Sequence, residues 1–137
     1  MKAKEIAKKW FESIDSKNFE GLKGLMAKNH SFQNPMTPSP IGRDEHIGMM
    51  QKMTSSFEGK HYLDQLIEEG NHVVVRGHWS GRHIGEFNGV PRTGNKVDFS
   101  WIDIFEIVDG KVAHEYFEMN PANIMAQIGA LDQKKVS

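Results

Sequence analysis

The chain has 137 residues, with 17 Lys and Arg against 18 Asp and Glu, a formal net charge of −1. That length supports a single domain over 1–137 with a real core, and the balanced charge leaves no basic stripe for nucleic acid or an anionic membrane. There is no cysteine, which excludes disulfides and thiolate chemistry; no run has signal-peptide character or approaches the ~20 apolar residues of a membrane span, so a cytoplasmic location is expected.

Ile6, Trp10 and Ile14 recur at every fourth position, with Ala3, Ala7 and Phe11 beside them, and predict an amphipathic helix. Phe19, Leu22 and Leu25-Met26 predict a shorter one after Asn18. Ser31 to Met36 reads as extended, because Pro35 keeps Asn34 out of the helical region. Pro38 and Pro40 mark a loop, and Ile47, Met50, Met53 and Phe57 predict a third helix. The period then changes from helical to alternating over 72–83 and 97–108. Gly70-Asn71 and Asp109-Gly110 suit two-residue hairpin loops, joining 60–69 to 72–83 and 97–108 to 111–120. Residues 85–96 are a Gly-rich loop or lid, and they open no helix that could cradle a phosphate. Pro121 to Leu131 predicts a final helix. Helices first and antiparallel strands after them give an α+β fold.

Two-residue loops set a register. Across Asp109-Gly110 it pairs Phe105 with His114, Asp103 with Tyr116, Trp101 with Glu118 and Phe99 with Asn120. Across Gly70-Asn71 it pairs Tyr62 with Trp79 and Asp64 with Gly77. One face then carries Asp103, His114, Tyr116, Glu118 and Asn120 among aromatic side chains. The other carries Ile102, Ile104, Phe117 and Met119. Both are too apolar for open water, so one is expected beneath the helices and the other against a second copy of the chain, a homodimer through the outer sheet face. The Asp103 face is taken as the covered one.

On that face Asp103 is the most informative residue. A carboxyl among Phe99, Trp101 and Phe105 is either paired, with His114 or Tyr116, or kept protonated as a hydrogen-bond donor. His83, His114 and Glu118 are the candidate proton carriers. Asn120, before Pro121, caps the last helix and stands where it could also bond a substrate. Met49, Met50 and Met53 suit a core or an adaptable pocket wall. His83, His114 and Glu118 have metal-ligand chemistry but no tight ligand spacing, so neither metal nor cofactor is expected.

The segment GRHIGEFNGVPRTGNKVDFSWIDIFEIVDGKVAHEYFEMN, followed by Gln127-x-Gly129, resembles the SnoaL-like polyketide cyclases of the nuclear-transport-factor-2-like superfamily. The resemblance implies a cone of curved antiparallel sheet whose pocket is closed by N-terminal helices, and frequent dimers. It implies a small-molecule ligand, with Trp79, Phe99, Trp101 and Tyr116 as pocket wall. The cyclases' catalytic Asp falls at Asn120. In the related ketosteroid isomerases the oxyanion-hole Asp matches Asp103, the base Asp matches Asn34, and a helical Tyr falls near Trp10. An amide cannot abstract a proton near neutral pH, so an enzyme of either kind would need another base here. The expected function is a pocket for a mostly apolar, oxygen-bearing molecule, with cyclase- or isomerase-like acid/base chemistry next to a carbonyl. The alternatives are a ligand binder without turnover, which Asn34 and Asn120 favour, and a dimeric interaction module with a filled cone.

Overall fold

The computed structural model describes residues 1–130, so the predicted helix end at Leu131 lies outside the described residues. Helix α1 (Ala3–Asp15) buries Ile6, Ala7, Trp10, Phe11 and Ile14, the face its periodicity predicts. Helix α2 (Phe19–Gly24) is capped by Asn18, whose Oδ1 accepts the Gly21 N–H at 3.0 Å. Strand β1 (Met26–Gln33) follows at once, starting where the sequence still reads as helix. Helix α3 (Arg43–Ser56) runs into strand β2 (Phe57–Glu69) without a loop, and the backbone is already extended at Phe57. Strands β3 (His72–His83), β4 (Lys96–Val108) and β5 (Lys111–Glu118) and helix α4 (Pro121–Gln127) complete the order.

The sheet is open and curved, in the order β1-β5-β4-β3-β2, and the helices cover its inner face. It is not wholly antiparallel: β1 runs parallel to β5, with Ser31 beside His114 and Gln33 beside Tyr116. No hairpin joins these two strands, so no turn forces them to oppose each other.

Both predicted hairpin turns are present. Asp109 and Gly110 have φ of 51° and 74°, as a type I′ turn requires, and Val108 pairs with Lys111. Glu69 pairs with His72 across Gly70-Asn71. The predicted register nevertheless fails a few residues further on, because each hairpin carries a bulge. In β5 the ladder shifts between Ile107–Val112 and Glu106–His114, leaving Ala113 as the extra residue. Asp103 therefore pairs with Phe117, Ile104 with Tyr116 and Phe105 with Glu115. In β2 the shift falls at Asp64, so His61 opposes Trp79 and Tyr62 opposes His78. One inserted residue turns every later side chain to the other face. Glu115, Phe117 and Met119 point inward, and His114, Tyr116 and Glu118 point outward with Ile102 and Ile104.

Two tryptophans lie flat against the inner face, and glycines make room for them. A Cβ on Gly77 would fall 2.6 Å from the Trp101 indole, and one on Gly59 2.5 Å from that of Trp79. Trp101 in turn stacks on Phe11 of α1 at 4.7 Å and on Phe117 at 5.6 Å, which seats the helix on the sheet. At the C-terminal end Gln127 acts as a clamp. Its Nε2 donates to the Asp98 carbonyl at 2.7 Å and its Oε1 accepts the Asp98 N–H at 2.8 Å, tying α4 to β4. Gly129 follows at φ 83° and ends the helix.

Gly77→Ala is expected to lower the unfolding free energy by about 1–3 kcal/mol in urea melts through overpacking. Gly48→Ala, on α3 with nothing within 4 Å of the new Cβ, should raise it by about 0.5–1 kcal/mol.

Candidate functional site

Under the helices lies a cavity of about 280 Å3. Phe57, Trp79, Phe99 and Phe117 give it an aromatic lining, and Met36, Met49, Met50, Met53 and Met119 add thioethers. Thioethers adapt their shape to a ligand, and aromatic rings supply rigid flat contact. The polar lining is sparse: Asp15, Lys17, Asn34, Thr54, Glu58 and His61. An apolar hollow with a few convergent polar groups is the usual form of a small-molecule site, and this one is at the small end of the range.

Asp15 and His61 form the tightest polar contact in that lining. Asp15 is the last residue of α1, and His61 faces inward because of the Asp64 bulge. His61 Nδ1 donates to Asp15 Oδ1 at 2.6 Å, and the His61 backbone N–H donates to Asp15 Oδ2 at 2.9 Å. The ring packs against Phe11 at 5.0 Å and Trp101 at 5.7 Å. Both carboxylate oxygens are thus spent on one histidine, and the imidazole is held at fixed tautomer and tilt. Asn34 is buried in the same wall, its Oδ1 accepting the Met36 N–H at 2.8 Å.

The residues singled out from sequence divide into four groups. Trp79, Phe99 and Asn34 line the cavity. Trp10, Trp101, Asp103 and His83 are buried outside its lining. His114, Tyr116 and Glu118 belong to the outer face, turned there by the Ala113 bulge. Asn120 is exposed and caps α4, its Oδ1 accepting the Ala122 and Asn123 N–H groups at 3.1 and 3.4 Å. His83 serves the 85–96 loop: the Thr93 backbone N–H and hydroxyl both reach its Nδ1, at 3.3 and 2.9 Å. Sequence reasoning missed Asp15 and His61, and nothing in the local pattern reveals a bulge that exchanges Tyr62 for His61.

A second polar set lies in the core, away from the cavity. His30 Nδ1 is 2.9 Å from the Val112 carbonyl, which can only accept, so that nitrogen carries the proton. His30 Nε2 then accepts from His46 Nδ1 at 3.0 Å. The His46 Nε2 lone pair is left facing Glu115 Oε1 at 3.6 Å. A carboxylate there would oppose that lone pair, so the arrangement calls for a protonated Glu115. Burial pushes the Glu115 carboxyl up to about 7. Burial first, then the neighbouring Glu115 charge, raise Asp103 well above the ordinary carboxyl value. Burial drives His46 down to about 3 and lowers His30 as well. Asp103 thus lies beside Glu115, not beside His114 or Tyr116.

Among the described residues, His30, His46 and Glu115 are the group whose ligand atoms gather within 4.8 Å. The geometry is that of a proton chain. The two imidazoles are nearly coplanar, 6° apart, with their facing nitrogens 3.0 Å from each other. The His30 Nε2 lone pair is taken up by His46 Nδ1, and the His46 Nε2 lone pair faces Glu115.

The model of the SnoaL-like polyketide cyclases matches residues 4–128 of this sequence. The chain belongs to the SnoaL-like polyketide cyclase family. Aklanonic acid methyl ester cyclase DauD of Streptomyces sp. (strain C5) is 28% identical over 89 residues, a match spanning 61% of this chain and 55% of that relative. TsrD of Streptomyces laurentii is 26% identical at a TM-score of 0.81, covering 93% of this chain and 95% of that one. An LEH-like epoxide hydrolase of M. tuberculosis shares the fold at a TM-score of 0.73 and 12% identity, over 92% of this chain and 88% of its own. In this SnoaL-like chain Asn34 lines the cavity and Asn120 does not.

The buried chain gives this SnoaL-like protein a testable pH signature. The raised carboxyls stabilise the fold fully below their unfolded values, 3.8 for Asp103 and 4.5 for Glu115, and that contribution is lost as pH rises through about 7 for Glu115. The lowered imidazoles act in the opposite sense, stabilising fully above 6.5 and less as pH falls toward about 3 for His46. Between 4.5 and 6.5 the two effects oppose each other. Glu115→Gln removes one carboxyl slope. Over that window acidification should cost the variant about 1.4 kcal/mol per pH unit more than the wild type. Parallel pH profiles in urea unfolding would refute the assignment.

Proposed function

We propose that the protein binds a mostly apolar, oxygen-bearing small molecule in the 280 Å3 cavity and performs acid/base chemistry beside one of its carbonyls, a cyclisation or isomerisation. The observation that carries this reading is the cavity itself, an unfilled hollow with thioether and aromatic walls and a few polar groups. The ester cyclase among its relatives is in keeping with it. A binder without turnover is the second reading, and Asn34 and Asn120 at family base positions favour it. A filled cone, which a pure interaction module would have, is at odds with the open volume. A cytoplasmic location belongs to the same proposal; among the described residues no helix is long and apolar enough to cross a membrane.

The proposal includes a homodimer through the outer sheet face. Tyr62, Ile67, Ile102, Ile104, Val108 and Tyr116 are all exposed there, between 37% and 52%. Phe117 and Met119, expected in that interface from the unbulged register, line the cavity instead.

Alizarin, a flat hydroxylated anthraquinone, should quench the fluorescence of Trp79 on titration. Met53→Trp fills the cavity from α3 and should weaken alizarin binding about tenfold or more, ~1.4 kcal/mol. Equal affinity in the filled variant would remove the cavity from the binding reaction. For assembly, light scattering should give a dimer for the wild type and a monomer or aggregate for Ile104→Glu, and a wild type that is monomeric at micromolar concentration counts against the interface.

A further inference from the structure

The family's acid/base positions fall on Asn34 and Asn120, so a proton-moving reaction in this cavity needs a base from elsewhere. Asp15 and His61 supply the required geometry. The Nδ1–H of His61 is committed to Asp15 at 2.6 Å, which leaves the lone pair on Nε2. Among the described residues Nε2 has no hydrogen-bond partner, and it is not sealed in the core as His46 and His83 Nε2 are. The imidazole lines the cavity, and its side chain is 13% exposed, that of Asp15 17%. The same two residues also line a separate cleft of about 510 Å3, with Lys8, Glu12 and Lys60. The dyad therefore borders both the apolar cavity and this cleft, a route by which its proton can exchange with water while the cavity is occupied.

We propose that His61, oriented by Asp15, is the general base of the cavity. The step balances with these groups alone. His61 Nε2 takes a proton from a carbon next to a carbonyl. The C–H electron pair becomes the C=C bond of an enolate, and the negative oxygen accepts a hydrogen bond from Asn34 Nδ2, whose Oδ1 is already held by the Met36 N–H. The enolate carbon attacks a second carbonyl of the same molecule, forming one C–C bond. The displaced π pair becomes an alkoxide and takes the proton back from His61. Nothing else is consumed. His61 is the catalytic residue and Asp15 a positioning residue, the division of labour known from nucleophilic triads.

This inference rests on the reading of the cavity as a ligand site, so the test separates the two. The probe is 5-nitrobenzisoxazole: a base removes its ring C–H proton, the N–O bond breaks, and a coloured cyanophenolate is released. Wild type should open the ring with saturable kinetics. His61→Gln should lose about 100-fold in kcat, a typical general-base contribution, while alizarin still quenches Trp79. Asp15→Asn should lower kcat with KM unchanged. Added imidazole should restore saturable ring opening to His61→Ala above imidazole's own rate in solution, a rescue that a merely structural histidine would not show. Wild-type rates in His61→Gln with alizarin still bound overturn the base and leave the cavity reading intact. Failure of alizarin to bind the wild type strikes the cavity reading, and this inference falls with it.

Discussion

One extra residue in β5 governs the interior. Ala113 lies between two ladder positions that would otherwise run on in register from the Asp109-Gly110 turn. Past it, Glu115, Phe117 and Met119 face the helices. Glu115 joins His46 and Asp103 in the core, and Phe117 and Met119 become cavity wall. Without the insertion, His114, Tyr116 and Glu118 would fill those places, and three polar groups would need partners under an apolar helix layer. The bulge at Asp64 does the same service on the opposite side of the sheet by exchanging Tyr62 for His61.

The ionisable groups of the interior are sorted by access to water. His30, His46, Glu115 and Asp103 are fully enclosed, and their proton placement is dictated from one end by a single backbone carbonyl. Such a set is a structural element: its charge states are displaced from their ordinary values by burial, and it has no opening to a ligand. Asp15 and His61 keep partial exposure and an unpaired ring nitrogen. Two clusters of similar composition thus take on different work according to what surrounds them, and a list of residue types could not separate them.

The helix faces, the two hairpin turns and the cap at Asn120 were legible in the sequence because each is a local pattern of a few residues. The alternation in β3 correctly put Trp79 inside, since its own strand carries no insertion. The reading failed where a ladder slips. Bulges at Ala113 and Asp64 have no glycine or proline to mark them, and what favours them is packing across the sheet. That is why Asp103 was recognised as buried while its neighbour was misassigned, and why His61 was passed over. The parallel β1 was equally hidden, because pairing between strands that far apart is decided by tertiary burial. Gly77 makes room for the Trp101 indole of the next strand, a use that depends on the cross-strand register and not on the local pattern.

The parallel docking of β1 on β5 also dictates an order of events during synthesis. β1 precedes the other four strands in sequence, yet among the described residues its strand neighbour is β5, the last of the five. Until β5 leaves the ribosome, Met26 and Phe32 have no strand against which to bury, and α1 has no finished sheet to cover. The β2–β3–β4 meander is built from near neighbours, whereas closure of the N-terminal part waits for β5. A nascent chain stalled before residue 111 would hold its apolar helix faces open.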